Sequence, residues 1–317
     1  MNPKRATIIY NPMSGRPGRR AENVREMAGL LLQRGIESDT RATTGPDDAA
    51  RLAKEALERE ADIVVGYGGD GTINEVIQEL ARKDAALAVW PGGTSNVVAR
   101  DLGVPFGLAQ VADMIAAGKT RRISLGLARS NDGATGRQGD AATLDPSPGR
   151  PVSPSRYFVM MAGIGLDASI ARAVNRKLKR RTGEFAYWLS GVRHFFVWRG
   201  EPFTIEVDGR CYESTFALVG NGKGYGGGFM ITPNARLEDP WFEVYILAPQ
   251  RNNLAYLRAL RACMSGNPDV PGVLLIKGEH VVADSAVEPW VEADGEIIGP
   301  LPMTFDIVPD SLSIIVP

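Results

Sequence analysis

With 317 residues and 44% hydrophobic content, the chain can bury a substantial core, and its length favours two domains over one. Its 36 Lys and Arg against 37 Asp and Glu leave a formal net charge of −1, which excludes a global basic field for nucleic acid and leaves anionic partners to local patches. Two cysteines, Cys211 and Cys263, and two histidines, His194 and His280, lack ligand spacing and argue against a zinc site or a disulfide framework.

Residues 6–10 read as a first strand, ending at Asn11-Pro12-Met13-Ser14-Gly15. Arg19 to Arg34 reads as a helix whose Val24, Met27, Ala28, Leu31 and Leu32 follow the i, i+3, i+4, i+7 spacing, with Gly35 as its stop. A second strand near Ile36 to Arg41 leads through Thr43-Thr44-Gly45-Pro46 into a helix from Asp47, with Ala49, Leu52, Ala53, Ala56 and Leu57 on one face. Two apolar runs, Ile63 to Tyr67 and Ala86 to Trp90, read as strands, and each is followed by a glycine-rich segment and a helical pattern. Strands alternating with helices predict an open, largely parallel α/β sheet with ligands at the carboxyl ends of the strands.

The character changes after Ile123, so the expected division is an α/β nucleotide-binding domain over 1–123 and a β-rich, antiparallel substrate domain over 124–305. The last strand, about 306–317, is expected to return to the first domain. Residues 130–155 are Gly, Pro, Ser and Asp with little apolar content and read as a mobile insertion. Later strands are expected at Tyr157–Ala162, Thr204–Val207, Ser214–Val219, Glu243–Leu247, Leu274–Ile276, Met303–Val308 and Leu312–Val316.

The two glycine segments, Gly68-Gly69-Asp70-Gly71-Thr72 and Pro91-Gly92-Gly93-Thr94-Ser95-Asn96, carry the most information. Glycine lets the backbone approach an anion closely, and a following helix presents unsatisfied N–H groups and the positive end of its dipole. Gly66 to Gly71 also satisfies the dinucleotide pattern G-x-G-x-x-G, but that fingerprint belongs in the first strand-to-helix turn of its domain, which here is Asn11 to Gly15. An Asp within the loop suits a metal or an acceptor hydroxyl better than dinucleotide phosphate. Arg16, Arg19 and Arg20 oppose the dipole of the helix they begin, a placement that favours an anion there.

These motifs, with Gly163-Ile-Gly-Leu-Asp-Ala168, Tyr225-Gly-Gly-Gly228 and Asp294-Gly295-Glu296, occur in an order that resembles the diacylglycerol kinase catalytic-domain family, which includes bacterial lipid kinases and sphingosine kinases. The resemblance implies ATP and Mg2+ as cofactors and a lipid alcohol as acceptor. It implies nucleotide contacts from Asn11, Ser14, Thr43, Gly68, Gly69, Asp70, Gly71, Thr72, Asn74, Thr94 and Asn96. Asp70 would also organise magnesium or act on the acceptor, and Glu296 would be the general base. Asp-Gly taken without the family is a strong type I′ hairpin signal. The resemblance further implies a structural metal at Asp239 with the backbone carbonyls of Arg236 and Trp241. Two residues depart from the family: Ser124 stands where an Asp is common, and Pro240 where Gly follows the metal Asp. Both put the metal arrangement in question.

Arg172, Arg176, Lys177, Lys179, Arg180 and Arg181, followed by Phe185, Tyr187, Trp188, Phe195, Phe196 and Trp198, read equally as a solvated helix with core aromatics or as contact with an anionic membrane surface. No apolar run approaches the ~20 residues of a bilayer span, and the N-terminus lacks a signal-peptide core. The expectation is a cytoplasmic lipid kinase with peripheral membrane contact left open, no nucleic-acid partner, and a homodimer as a compatible assembly. An NAD kinase-like phosphotransferase and a catalytically inactive nucleotide or lipid sensor are the alternatives.

Overall fold

The computed structural model describes residues 4–13, 19–131, 155–165, 201–225, 229–250, 253–264, 270–287 and 289–317. The chain divides into two compact units: Met1–Leu125 with Leu237–Asp239 and Val308–Pro317, and Gly126–Arg236 with Pro240–Ile307.

The first unit is built on parallel strands β1 (Lys4–Tyr10), β2 (Ile36–Ala42), β3 (Ile63–Gly68) and β4 (Ala86–Pro91), in the order β2-β1-β3-β4. The end of the last strand of the chain adds beside β4, pairing Ile314 with Leu87 in parallel. Every residue of β3 and β4 is buried, as near-continuous apolar runs demand when helices cover both faces. Helix α1 (Arg20–Gln33) buries Val24, Met27 and Leu31, and α2 (Asp48–Glu58) buries Ala49, Leu52, Ala53 and Ala56. Helix α3 (Asp70–Leu80) begins inside the first glycine segment. Two further helices, α4 (Val97–Asp101) and α5 (Leu108–Ala117), follow β4. The N-terminal part of β5 (Thr120–Ser130) completes this unit.

The second unit is antiparallel. One sheet runs in the order β14-β13-β10-β7-β16-β17, formed by β7 (Met161–Ile164), β10 (Phe216–Gly220), β13 (Phe242–Leu247), β14 (Val273–Gly278), β16 (Trp290–Ala293) and β17 (Glu296–Pro300). Strands β8 (Phe203–Val207), β9 (Arg210–Ser214), β15 (His280–Asp284) and the first half of β18 (Met303–Ile315) make a second layer, and β6 (Ser155–Phe158) pairs with the end of β5. The two layers share a core in which Phe158, Phe242 and Phe305 pack together, each fully buried. The short pair β11 (Gly224–Tyr225) and β12 (Phe229–Met230) and helix α6 (Asn253–Met264) complete the described elements.

Four expected strands take a different form. Tyr157–Ala162 is two strands broken at Val159-Met160, because the Asp294 carboxylate draws off their N–H groups. Ser214–Val219 is split at Thr215, where the Ser214 hydroxyl donates to Phe216 O at 2.9 Å and Thr215 N–H to Leu247 O at 2.9 Å. Met303–Val308 and Leu312–Val316 are instead one strand, which passes Pro309 by placing Asp310 at φ 49°.

Candidate active site

The carboxyl ends of β1, β2, β3 and β4 gather those predicted nucleotide residues of the first unit that are described. Gly69 caps α3 in extended conformation. Space, more than torsion, demands glycine here. A β-carbon at Gly93 would lie 2.5 Å from Gly69 Cα, and one at Gly68 would lie 2.4 Å from the Thr72 hydroxyl. The two loops therefore cross in direct backbone contact, tied by Gly92 N–H to Gly68 O at 2.8 Å. Among the described residues, the N–H groups of Gly69, Gly71 and Thr94 have no partner in the protein. They lie where the dipole of α3 is positive, which makes the crossing a cradle for anionic oxygens.

The side chains divide into those that shape the cradle and those that remain available. Asn96, buried and at φ 47°, accepts from Gly93 N–H at 2.8 Å and donates to Gly93 O at 2.9 Å, so its amide pins the second loop. Thr94 is exposed at the tip of that loop. Asn11 closes a short turn by accepting from Met13 N–H at 2.9 Å. Thr43 is buried at the end of β2, its N–H on Tyr10 O at 2.9 Å. Its neighbour Thr44 is engaged by Asp48, whose carboxyl is held below the usual range by the Thr44 N–H and by Arg51. Asn74, 1% exposed, accepts from Gln78, while its own Nδ2 has no partner among the described residues. A buried unmet donor on the helix that opens at the cradle fits a ligand acceptor. Ser14 and Arg16 lie outside the described residues.

Asp70 opens α3, and its carboxylate faces the first N–H groups of α4, with Val98 N–H at 3.4 Å. Burial raises its pKa above the ordinary carboxylate value, and the N–H groups of Val98, Val97 and Asn96 oppose that rise.

Arg20 is the residue that sequence reasoning placed wrongly. It is 4% exposed, with its guanidinium 4.2 Å from the centre of the Tyr67 ring. Tyr67 in turn stacks on Trp90 with ring centres 3.6 Å apart. Arg20 donates to Gly92 O and, at 3.4 Å, to Tyr67 O. It clamps the ends of β3 and β4 beneath the glycine loops, and burial lowers its pKa. Arg19 is exposed.

In the second unit, Asp294 and Gly295 take φ 48° and 83°, the type I′ signature, and join β16 to β17. The Asp294 carboxylate accepts from the N–H groups of Val159, Met160 and Met161 at 2.7, 2.9 and 3.1 Å. Glu292 accepts from Gly295 N–H at 2.6 Å. Glu296 follows the turn, largely buried and paired with Arg156 from β6, a residue the sequence did not single out.

Ser124 is buried in β5, its N–H on Leu237 O at 2.7 Å. Asp239 is half-buried and belongs to the first unit, whereas Arg236 and Trp241 belong to the second. Among the described residues, no three His, Cys, Asp or Glu gather as a metal site. The basic and aromatic stretch 172–198, the turn Gly226 to Gly228 and most of the insertion, 132–154, lie outside the described residues.

Comparison with known proteins matches residues 5–128 to the diacylglycerol kinase catalytic domain and residues 160–316 to the YegS C-terminal NAD kinase beta sandwich-like domain. A diacylglycerol kinase of Bacillus subtilis (strain 168) is 32% identical over 309 residues, covering 95% of this chain and 93% of the relative. That of Staphylococcus carnosus (strain TM300) is 29% identical over 312 residues, covering 95% and 92%. A crystal structure of a diacylglycerol kinase from Bacillus anthracis str. Sterne superposes with TM-score 0.75 at 22% identity, covering 99% of this chain and 97% of that one, and shares the fold. The chain therefore belongs to the diacylglycerol kinase family and is a lipid kinase.

Proposed function

We propose that this kinase transfers the γ-phosphoryl group of ATP to the hydroxyl of a diacylglycerol or a related lipid alcohol, with magnesium. The observation that carries the donor assignment is the crossing of the two glycine loops, whose unpartnered N–H groups and helix dipole suit a polyphosphate. Thr94 at the loop tip and Asn74 Nδ2 add donors, and Thr43, Thr72 and Asn11 border the same strand ends. Asn96 acts by shaping the loop.

The acceptor oxygen forms a bond to the γ-phosphorus as the bond from that phosphorus to the bridging oxygen breaks, and ADP leaves. The proton of the acceptor passes to the Glu296 carboxylate. Phosphoryl transfer depends mostly on positioning and charge neutralisation, so a single base suffices. Magnesium, when bound, would neutralise phosphate charge, and Asp70 is the carboxylate we propose to hold it. Asp239 is proposed as a ligand of a separate structural metal.

Among the described residues no helix is long and apolar enough to cross a membrane. We read a cytoplasmic enzyme that meets its lipid at the bilayer surface. The test is incubation with labelled ATP and mixed diacylglycerols, beside parallel incubations with NAD. Label on the lipid supports the reading. Label on NAD replaces it with the NAD kinase alternative, and ATP binding without transfer replaces it with the sensor.

A further inference from the structure

Helix α6 has two faces of different kinds. Tyr256, Ala259 and Ala262 are buried, and the first two pack with Met161, Phe216, Ile231 and Tyr245. Hydrogen bonds fasten this face, with the Tyr245 hydroxyl on Ala259 O at 3.2 Å and Gln250 N–H on the Tyr256 hydroxyl at 3.1 Å. The opposite stripe is Leu254, Leu257, Arg258 and Arg261, at i, i+3, i+4 and i+7, and all four are exposed. Leu254 is 57% exposed and Leu257 44%. Beside α6 lies β12, whose Met230 is 55% exposed. Of eight exposed large apolar side chains in the described residues, three fall at this one place, which separates it from the single apolar residues scattered over any surface.

The charge pattern selects the occupant. Residues 253–264 contain no Asp or Glu, and neither Arg258 nor Arg261 has an ion-pair or hydrogen-bond partner among the described residues. Arg261 in the last turn suits the helix dipole, but the dipole explains neither Arg258 nor the two leucines. Leucine and methionine beside arginines that meet no carboxylate among the described residues form a surface that inserts aliphatic ends at the acyl boundary while the guanidinium groups meet phosphates. We infer that α6 and Met230 are the surface through which this unit rests on an anionic lipid bilayer. The choice of a bilayer over an acidic protein rests on the lipid-kinase reading, because the acceptor alcohol resides there.

The experiment is flotation of the full chain with phosphatidylcholine vesicles, with and without phosphatidylglycerol, at low and high salt. Binding is expected with the anionic vesicles and is expected to weaken with salt. Neutralising both arginines (Arg258→Gln, Arg261→Gln) is expected to weaken it on the order of 25-fold, about fivefold for each charge at the surface. Leu254→Gln with Leu257→Gln is expected to weaken it independently of salt. These side chains are exposed, so unchanged thermal melting verifies the fold of each variant. Phosphorylation of a soluble short-chain diacylglycerol is expected to persist in every variant. If the wild type fails to bind anionic vesicles, or the variants bind as it does, the inference is overturned. Loss of a concentration-dependent dimer in the variants, without change in vesicle binding, would reassign the stripe to a second copy of the chain. Vesicle binding with no lipid phosphorylation by the wild type would leave the docking surface standing and remove the kinase reading.

Discussion

Arg156 and Glu296, 140 residues apart in sequence, form an ion pair in which the side chains are only 13% and 23% exposed. The pair is held by backbone: Asp294, two residues before Glu296, binds the N–H groups of Val159 to Met161, three to five residues after Arg156. Among the described residues, Arg156 Nε is buried without a partner. The guanidinium fixes the orientation of the carboxylate proposed as general base.

If Glu296 is the base, Glu296→Gln lowers kcat by ~10²–10⁴ with the KM for ATP nearly unchanged. Arg156→Met removes the ion pair from a largely buried carboxylate, at a cost of about 3 kcal/mol in stability, and lowers kcat because the guanidinium no longer orients the base. In the double variant both losses are expected to be far smaller than the sum of the single ones. Urea titrations and initial rates on all four proteins check this. Additive losses would show that the two residues act separately.

Gly93→Ala places a methyl group 2.5 Å from Gly69 Cα, a contact with backbone that no side-chain motion relieves. The loops must part, at a cost of about 1–3 kcal/mol, and the KM for ATP rises. Gly69→Ala meets Gly93 Cα at 3.3 Å and is the milder change. Isothermal titration with a non-hydrolysable ATP analogue measures the order.

Burial raises the pKa of Asp70 above its unfolded value, so between the two values the folded chain binds more protons than the unfolded one. The stability associated with the protonated form is therefore present at low pH and is lost as pH rises through the folded value. Asp70→Asn removes that penalty while keeping an acceptor for Val98 N–H. The variant is expected to melt at a higher temperature than the wild type at pH 7, with the difference shrinking toward acid, and to lose most of its activity. Melting curves across pH, read beside turnover, check both signs.

Arg20→Met keeps the contact with the Tyr67 ring but removes the guanidinium hydrogen bonds to Gly92 O and Tyr67 O, leaving Tyr67 O the N–H of Asn11 at 3.3 Å. The expected loss is about 1–3 kcal/mol for hydrogen bonds from a charged donor, with a rise in the KM for ATP and little effect on kcat. A Lys at this position restores only part of the loss, because one ammonium cannot both stack on the ring and reach two carbonyls.

The first unit was legible because its signals are local. The fully apolar runs at 63–67 and 86–90, the helix periodicities of 19–34 and 47–57 and the glycine segments each report their own surroundings. Asp294-Gly295 likewise announced its turn. What escaped depended on residues far apart in the chain. An arginine at the start of an amphipathic helix reads as an anion contact, whereas Arg20 turns inward onto the Tyr67 ring, itself stacked on Trp90, and onto the carbonyls of Gly92 and Tyr67. Arg156 sits in a short polar stretch with no motif, and its meaning comes from the hairpin that carries Glu296. The break at Val159-Met160 is made by a carboxylate 135 residues away, beyond any local pattern.

The central claim is phosphoryl transfer from ATP to a lipid hydroxyl. The most direct measurement incubates the wild type and Glu296→Gln with γ-labelled ATP, magnesium and a total lipid extract, and identifies the labelled product by mass. The account predicts one class of lipid gaining a phosphate monoester with the wild type, and a signal lower by ~10²–10⁴ with the variant at equal ATP binding. Labelled lipid formed equally by both proteins would contradict the role given to Glu296, and ATP bound by the wild type with no lipid labelled would contradict the account as a whole.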